Sequence, residues 1–169
     1  MLPLTLVMLT LSLPQAQAKT EDVHSVDAIV GALYDVISGP AGQARDWDRM
    51  RSLFAPGARL IPTRPRTDPP GADARVLTVD EYIERSSPLF EKNGFFEKEV
   101  ARKTESFGNI VQIFSTYASR RAVEDKEPFA RGINGIQLLK DGDRYWIVTV
   151  LWDAERPDSP IPERYLRDD

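Results

Sequence analysis

Two hydrophobic periods divide this chain. Before residue 95, apolar side chains return every three or four positions, the spacing of helices with one buried face; from Phe95 onward they alternate, the spacing of strands. Ser25 is placed to cap a helix whose Val26, Ile29, Val30, Leu33 and Ile37 form one stripe. Gly31 and Tyr34 lie beside that stripe, and Ser38-Gly39-Pro40 ends it. A second, shorter helix carries Trp47, Met50, Leu53 and Phe54 and stops at Pro56-Gly57, and a short strand from Ala58 to Pro62 comes next. Thr78-Val79-Asp80-Glu81 is a capping box that opens a third helix, with Val79, Tyr82, Ile83, Leu89 and Phe90 on its apolar side and Pro88 kinking or ending it. Ahead of it, Thr63 to Asp73 is rich in proline and has no period, which predicts a loop. A loop this long is either a functional element such as a lid or a plain surface excursion.

Four strands fill the C-terminal half. Phe96 to Phe107 is dense in Glu97, Lys98, Glu99, Arg102, Lys103 and Glu105, so it reads as an edge strand blunted by charge or a strand with one wet face. Gly108-Asn109 turns it back into Ile110 to Arg121. There Val111, Ile113, Ser115, Tyr117 and Ser119 share one face, and Ile110, Gln112, Phe114, Thr116 and Ala118 the other. Phe129 to Leu139 and Arg144 to Trp152 form a hairpin across Lys140-Asp141-Gly142-Asp143, because Asp-Gly supplies the positive φ of a tight turn. Gly132 and Gly135 predict a bulge or bend in the first of these strands. In the second, strict alternation puts Trp146, Val148, Val150 and Trp152 on one face and Tyr145, Ile147, Thr149 and Leu151 on the other. Both sets are bulky, so both faces are expected to be covered, one by the helices and the other by a second subunit. The order of elements predicts an α+β fold with helices gathered on one face of a curved sheet.

The first thirteen residues are largely apolar and lead through Pro14-Gln15 to Ala16-Gln17-Ala18. That pattern reads as a secretory signal peptide, residues 1–18, cleaved after Ala18, the alternative being an uncleaved interfacial or anchoring segment; with cleavage, residues 19–169 form a single domain in the periplasm or outside the cell. The apolar run is too short for a comfortable membrane span, and no membrane association is expected after cleavage. The chain has no Cys, so packing alone must hold an exported domain together and thiol chemistry is excluded. A net charge of −4 without a basic patch argues against nucleic acid as a partner. One His, no Cys and no calcium-loop spacing leave no metal centre, and no Gly-rich turn runs from a strand into a helix to cradle phosphate. No cofactor is expected. The chemistry left open is proton transfer, elimination or plain binding.

Without a usable His or Cys, a base must be a carboxylate whose pKa is raised by an apolar pocket, or a water held by one. His24, six residues past the cleavage site, reads as a solvated terminal residue. Asp153 and Glu155, just past the most apolar strand, are the candidate catalytic pair; the competing reading is that Asp153 binds a backbone group or an arginine and ends the strand. Tyr34, Tyr82 and Tyr117 lie on or beside apolar faces, as core side chains or as ligand donors. Trp152 belongs to the same candidate ligand surface. Arg59 and Arg131 sit within apolar strands, where they pair with a carboxylate, face water or hold an anionic group. Asn134, between Ile133 and Gly135, offers a donor and an acceptor to a ligand or to a bulge. Asp46 and Asp48 are read as charges favourable to a helix N-terminus.

The stretch Asp46-Trp47-Asp48-Arg49-Met50-Arg51-Ser52-Leu53-Phe54-Ala55-Pro56-Gly57-Ala58 resembles the phrase that marks the second helix and first strand of the nuclear transport factor 2-like superfamily. The ending Arg144-Tyr145-Trp146-Ile147-Val148 to Trp152-Asp153-Ala154-Glu155-Arg156-Pro157, then Ile161-Pro162, is similar to exported bacterial members whose activity is not established. The resemblance covers the whole of residues 19–169. It implies a cone-shaped roll of a strongly curved, mostly antiparallel sheet, with three N-terminal helices packed on its concave face around a cavity. Ketosteroid isomerase, scytalone dehydratase and SnoaL-like polyketide cyclases share that fold with non-catalytic binding and dimerisation modules, so it does not choose a function. The family's enzymes place an Asp or His base in the pocket with Tyr or protonated carboxylate donors; the chain departs from the dehydratase pattern, its only His being terminal. Two readings are open: an exported small-molecule binding protein or cofactor-free isomerase-, dehydratase- or cyclase-like enzyme, or a non-catalytic homodimeric structural or interaction module. A homodimer suits both.

Overall fold

The computed structural model of the chain describes residues 17–168, so the apolar leader read at residues 1–18 falls almost wholly outside the described residues. A single helical turn, α1 (Thr20–Val23), leads into α2 (Val26–Ile37) and α3 (Trp47–Leu53). Strands β1 (Phe54–Thr67) and β2 (Pro70–Ala74) come next, then α4 (Val79–Asn93) and the strands β3 (Phe96–Phe107), β4 (Ile110–Arg120), β5 (Ala130–Asp141) and β6 (Arg144–Ala154). A 3₁₀ turn spans Glu163–Tyr165. The six strands make one open mixed sheet in the order β2-β1-β6-β5-β4-β3. Only β1 and β6 run parallel; the other neighbours are antiparallel.

Local chemistry fixes the helix starts. Ser25 Oγ accepts from the Ala28 N–H at 3.1 Å, and an Asp46 carboxylate oxygen accepts from the Arg49 N–H at 2.9 Å. Thr78 and Glu81 exchange the two bonds of a capping box, at 3.2 and 2.8 Å. α4 runs on through Pro88 and ends at Gly94, whose φ of 68° favours glycine. α1, which has no periodic signal, is pinned by charge: Arg49 reaches the buried Asp22 at 2.8 Å and also bonds Asp35.

α2, α3 and α4 cover one face of the sheet, and the strand register builds that face in rows. Val111, Leu138 and Ile147 form one row, Ile113, Ile136 and Val150 the next, and Ser115, Asn134 and Trp152 a third. Ile29, Leu33, Met50 and Leu53 pack down on these rows, each burial contributing about 1.5–3 kcal/mol.

Three expectations are corrected. The stretch from Thr63 to Asp73 is no loop: it pairs with itself, Thr63 with Ala74 through Thr67 with Pro70. As an edge hairpin with neither face buried it owes nothing to alternation, and Asp73 ties it by ion pairs to Arg64 and Arg66. Phe54 begins β1 instead of closing α3. The third correction concerns β6, where Leu138 pairs with Ile147 but Gln137 pairs with Thr149, leaving Val148 as an extra residue. That bulge reverses the facing of the residues beyond it. Ile147 and Val150, which strict alternation assigns to opposite faces, are both buried under the helices, whereas Val148 and Leu151 point outward, exposed.

A similar bulge interrupts β3. Glu99 pairs with Tyr117 and Ala101 with Thr116, so Val100 has no partner position. Glu99 and Arg102 thereby meet as an ion pair at 2.6 Å across a spacing of three. On the outer face, the chain's own C-terminal segment supplies part of the cover expected from a second subunit. Thr116 donates its hydroxyl to the Tyr165 carbonyl, and the Tyr165 ring stacks on Phe114 with centroids 5.4 Å apart.

Candidate functional site

A cavity of about 260 Å³ lies between the helices and the inner face of the sheet. Leu33, Ile37, Met50, Leu60, Phe90 and Val150 make its apolar wall. Tyr82 meets Trp152 edge-on at 6.1 Å along one side, and Phe95 stacks on Phe90 at 4.2 Å on another. The polar groups collect where β3, β4 and β5 adjoin α2: Tyr34, Glu97, Tyr117, Ser119 and Asn134.

Register explains the gathering. Glu97 stands opposite Ser119, Ser115 opposite Asn134, and Tyr117 opposite Gly132. A Cβ on residue 132 would lie 2.5 Å from the Tyr117 hydroxyl oxygen, so this glycine makes the room that Tyr117 occupies. Tyr34 enters from α2, its hydroxyl 2.7 Å from Ser115 Oγ and accepting from Asn134 Nδ2 at 3.0 Å.

Among the described residues, Glu97 is the only carboxylate on the cavity wall. It accepts from the Ser119 hydroxyl at 2.6 Å and from the Asn134 side chain. Glu97 is half-buried on the cavity wall. Burial pushes its carboxyl up to about 7, against the opposing pull of the bonds from Ser119 and Asn134. Burial also pushes the hydroxyls of Tyr34, Tyr82 and Tyr117 well above the ordinary tyrosine value, with the Glu97 charge adding to each, so all three stay protonated. Ser86 engages Tyr82, and Ser115 and Asn134 engage Tyr34. The Tyr117 hydroxyl has no partner among the described residues, which leaves a free donor beside a carboxylate poised near neutrality.

No protein-family model matches the chain, and no curated protein matches it significantly. Solved structures do. An NTF2-like protein of unknown function from Silicibacter pomeroyi superposes with a TM-score of 0.53 at 12% identity, covering 77% of this chain and 92% of that one. A protein of unknown function with a cystatin-like fold from Nostoc punctiforme gives 0.56 at 10% identity, with 79% and 90% covered. A candidate ketosteroid isomerase from Shewanella frigidimarina gives 0.52 at 15% identity, with 82% and 100% covered. The chain has the NTF2-like fold. At these identities the fold is what is shared, and the chemistry must be read from this chain's own side chains.

Of the residues singled out in the sequence, the NTF2-like cavity brings together Tyr34, Tyr82, Tyr117, Asn134 and Trp152. It does not take in the others. Asp153 points outward from β6 and is held by Arg156 at 2.7 and 3.0 Å, which keeps its carboxyl below the ordinary aspartate value. This is the arginine pairing that competed with a base role for it. Glu155 accepts from the Ile161 N–H at 2.9 Å and faces Arg131 at 3.6 Å, so these two pair with each other outside the cavity. Arg59 folds back on the carbonyls of Gly57 and Ala58, at 2.6 and 2.9 Å.

Sequence reasoning passed over Glu97 and Ser119 for a physical reason. Counted from the Phe107–Ile110 pair without interruption, Glu97 falls opposite Arg120, on the outer face. The bulge at Val100 turns it inward, and no glycine marks that bulge.

Proposed function

We propose that this protein binds a small, uncharged, largely apolar molecule in the NTF2-like cavity and catalyses a cofactor-free proton transfer on it. The observation that carries this reading is the juxtaposition of Glu97, near neutrality, with the unpartnered hydroxyl of Tyr117. Glu97 is the general base: it takes a proton from a carbon next to a carbonyl, and the electron pair moves onto the carbonyl oxygen. Tyr117 donates to that oxygen as its charge develops. Return of the proton at another carbon gives an isomerisation; departure of a leaving group gives an elimination. A base matched to neutral pH contributes about 10²–10⁴-fold, and one oxyanion donor about 10²–10³-fold. Among the described residues, the cavity wall carries no cation to hold an anionic ligand, which supports the choice of a neutral one. Its volume lies just under the range, about 300–1,000 Å³, of drug-sized sites.

The test is an NMR screen of small ketones and hydroxy compounds in D2O for saturable binding and for deuterium uptake at carbon. Bound compounds are expected to exchange with the wild type, and Glu97→Gln to keep binding while losing exchange. Exchange that survives in Glu97→Gln overturns the assignment.

A role in assembly has its own support. Phe107, Ile110, Leu139 and Val148 are exposed together on the outer face of the sheet, away from the cavity. We propose that a second copy of the chain covers them. Native mass spectrometry is expected to show a dimer that Ile110→Lys dissociates; a monomeric wild type at micromolar concentration overturns this. Export rests on the apolar leader, and a mature chain secreted from its own host with Lys19 at its N-terminus is the expected mass-spectrometric result.

A further inference from the structure

Tyr34 does not stand in the cavity as Tyr117 does. Its oxygen is 2.7 Å from Ser115 Oγ, and Ser115 Oγ is 2.5 Å from Glu99 Oε1. Ser115 is fully buried, while the Glu99 side chain is 23% exposed on the far side of it. Glu99 opens on a surface cleft lined by Asp27, Arg102, Thr104 and Asp168. Three side chains therefore span the wall between the cavity and that cleft.

The donors in this chain have one consistent direction. A carboxylate only accepts, so the Ser115 hydroxyl donates to Glu99 and its oxygen accepts from Tyr34. Asn134 directs its amide NH2 to the Glu97 carboxylate and, through Nδ2, to the Tyr34 oxygen. The Tyr34 proton thus points away from the cavity, and what Tyr34 offers a ligand is an oxygen lone pair. The outer end is held by charge: Arg102 bonds Glu99 at 2.6 and 2.9 Å and Asp27 at 2.6 Å, and its backbone N–H donates to Asp168 at 2.8 Å.

We propose that Tyr34, Ser115 and Glu99 form a proton relay between the interior cavity and the solvent-facing cleft beside Arg102. A proton arriving on the Tyr34 oxygen from the cavity releases the Tyr34 hydroxyl proton to Ser115. The Ser115 proton passes to Glu99, which gives it up to the water of the cleft. Each hydroxyl ends with one proton, both O–H bonds are reversed, and rotation of the two hydroxyls restores the starting state. Because the Tyr34 proton faces Ser115 and not the cavity, water inside the cavity does not take it directly, and the relay is its route to solvent whether the cavity is empty or occupied. It goes beyond the proposed reaction and requires no turnover of the ligand.

The experiment uses the full chain labelled with carbon-13 at tyrosine Cζ, in an equal mixture of H2O and D2O, without ligand. Slow hydroxyl exchange splits the Cζ signal into a protonated and a deuterated line, and fast exchange merges them. The wild type is expected to give one merged line for Tyr34. Glu99→Gln, which keeps an acceptor for Ser115 but takes no proton, is expected to slow exchange by about a hundredfold and split the line, and Ser115→Ala to do the same. Tyr117 faces the same cavity outside the relay, and its line is expected to stay as in the wild type, which separates relay loss from altered water entry. A split Tyr34 line in the wild type, a merged one in either variant, or parallel changes in Tyr34 and Tyr117 overturns the proposal.

Discussion

Replacing Glu97 by Gln is expected to stabilise the protein above neutral pH and to leave it unchanged in acid. The folded chain holds this carboxyl near 7, whereas in the unfolded chain it returns to the ordinary 4.5. An acid whose folded value is raised binds its proton more tightly folded than unfolded. Below about pH 4.5 both states are protonated and no penalty exists; between the two values the unfolded state ionises first and folding weakens; above about pH 7 the full penalty stands. At about 1.36 kcal/mol per pH unit, the interval amounts to ~3 kcal/mol. Gln has nearly the same shape, keeps an acceptor for Ser119 and carries no charge to desolvate. For a chain of this size ~3 kcal/mol corresponds to roughly 6–12 °C in Tm. The assay is thermal unfolding of both proteins at about pH 4 and about pH 8.5. The variant is expected to melt higher only at the alkaline end. Equal Tm differences at both pH values would refute the burial argument, and the general-base role that rests on it.

Single contacts carry three more expectations. Ser119→Ala removes the donor 2.6 Å from the Glu97 carboxylate and is expected to raise that group's pKa further, by roughly 1–2 pH units; a carbon-13 titration of Glu97 reads it, and a fall contradicts the hydrogen-bond geometry. Gly132→Ala places a Cβ 2.3 Å from the Asp153 carbonyl oxygen and 2.5 Å from the Tyr117 hydroxyl, so denaturant unfolding is expected to show a loss of ~1–3 kcal/mol. Asp153→Asn breaks a half-exposed pair with Arg156 and is expected to cost under ~1 kcal/mol, with ligand binding and deuterium exchange in the cavity unchanged.

The helices and the four C-terminal strands were legible in the sequence because one-sided burial leaves a period. Ser25 and Thr78 also announced their helices, since a cap is a local hydrogen bond between near neighbours. The hairpin from Thr63 to Ala74 was not legible, because an exposed edge has no buried face to leave a pattern. Aromatic and amide members of the cavity stood out as polar atoms within apolar runs: Tyr34, Tyr117 and Asn134. Glu97 stood in a run of charges, where nothing separates one wet glutamate from one turned inward. Asp153 drew attention by its place beside Trp152, but what it meets is Arg156, three residues on, beyond the end of the strand. A register shift lies between sequence and site in β3, and a register is a relation between two strands that neither one carries alone.

The Val100 bulge also makes chain length a chemical variable. Removing Val100 would restore an unbroken ladder and leave Glu97 opposite Ser119. Adding one residue between Glu99 and Ala101, beyond what the bulge absorbs, would instead bring Lys98 opposite Ser119. The cavity would then hold an ammonium in place of a carboxylate and favour anions over neutral molecules. An insertion in β3 can therefore change the class of ligand the cavity favours without any substitution along its wall.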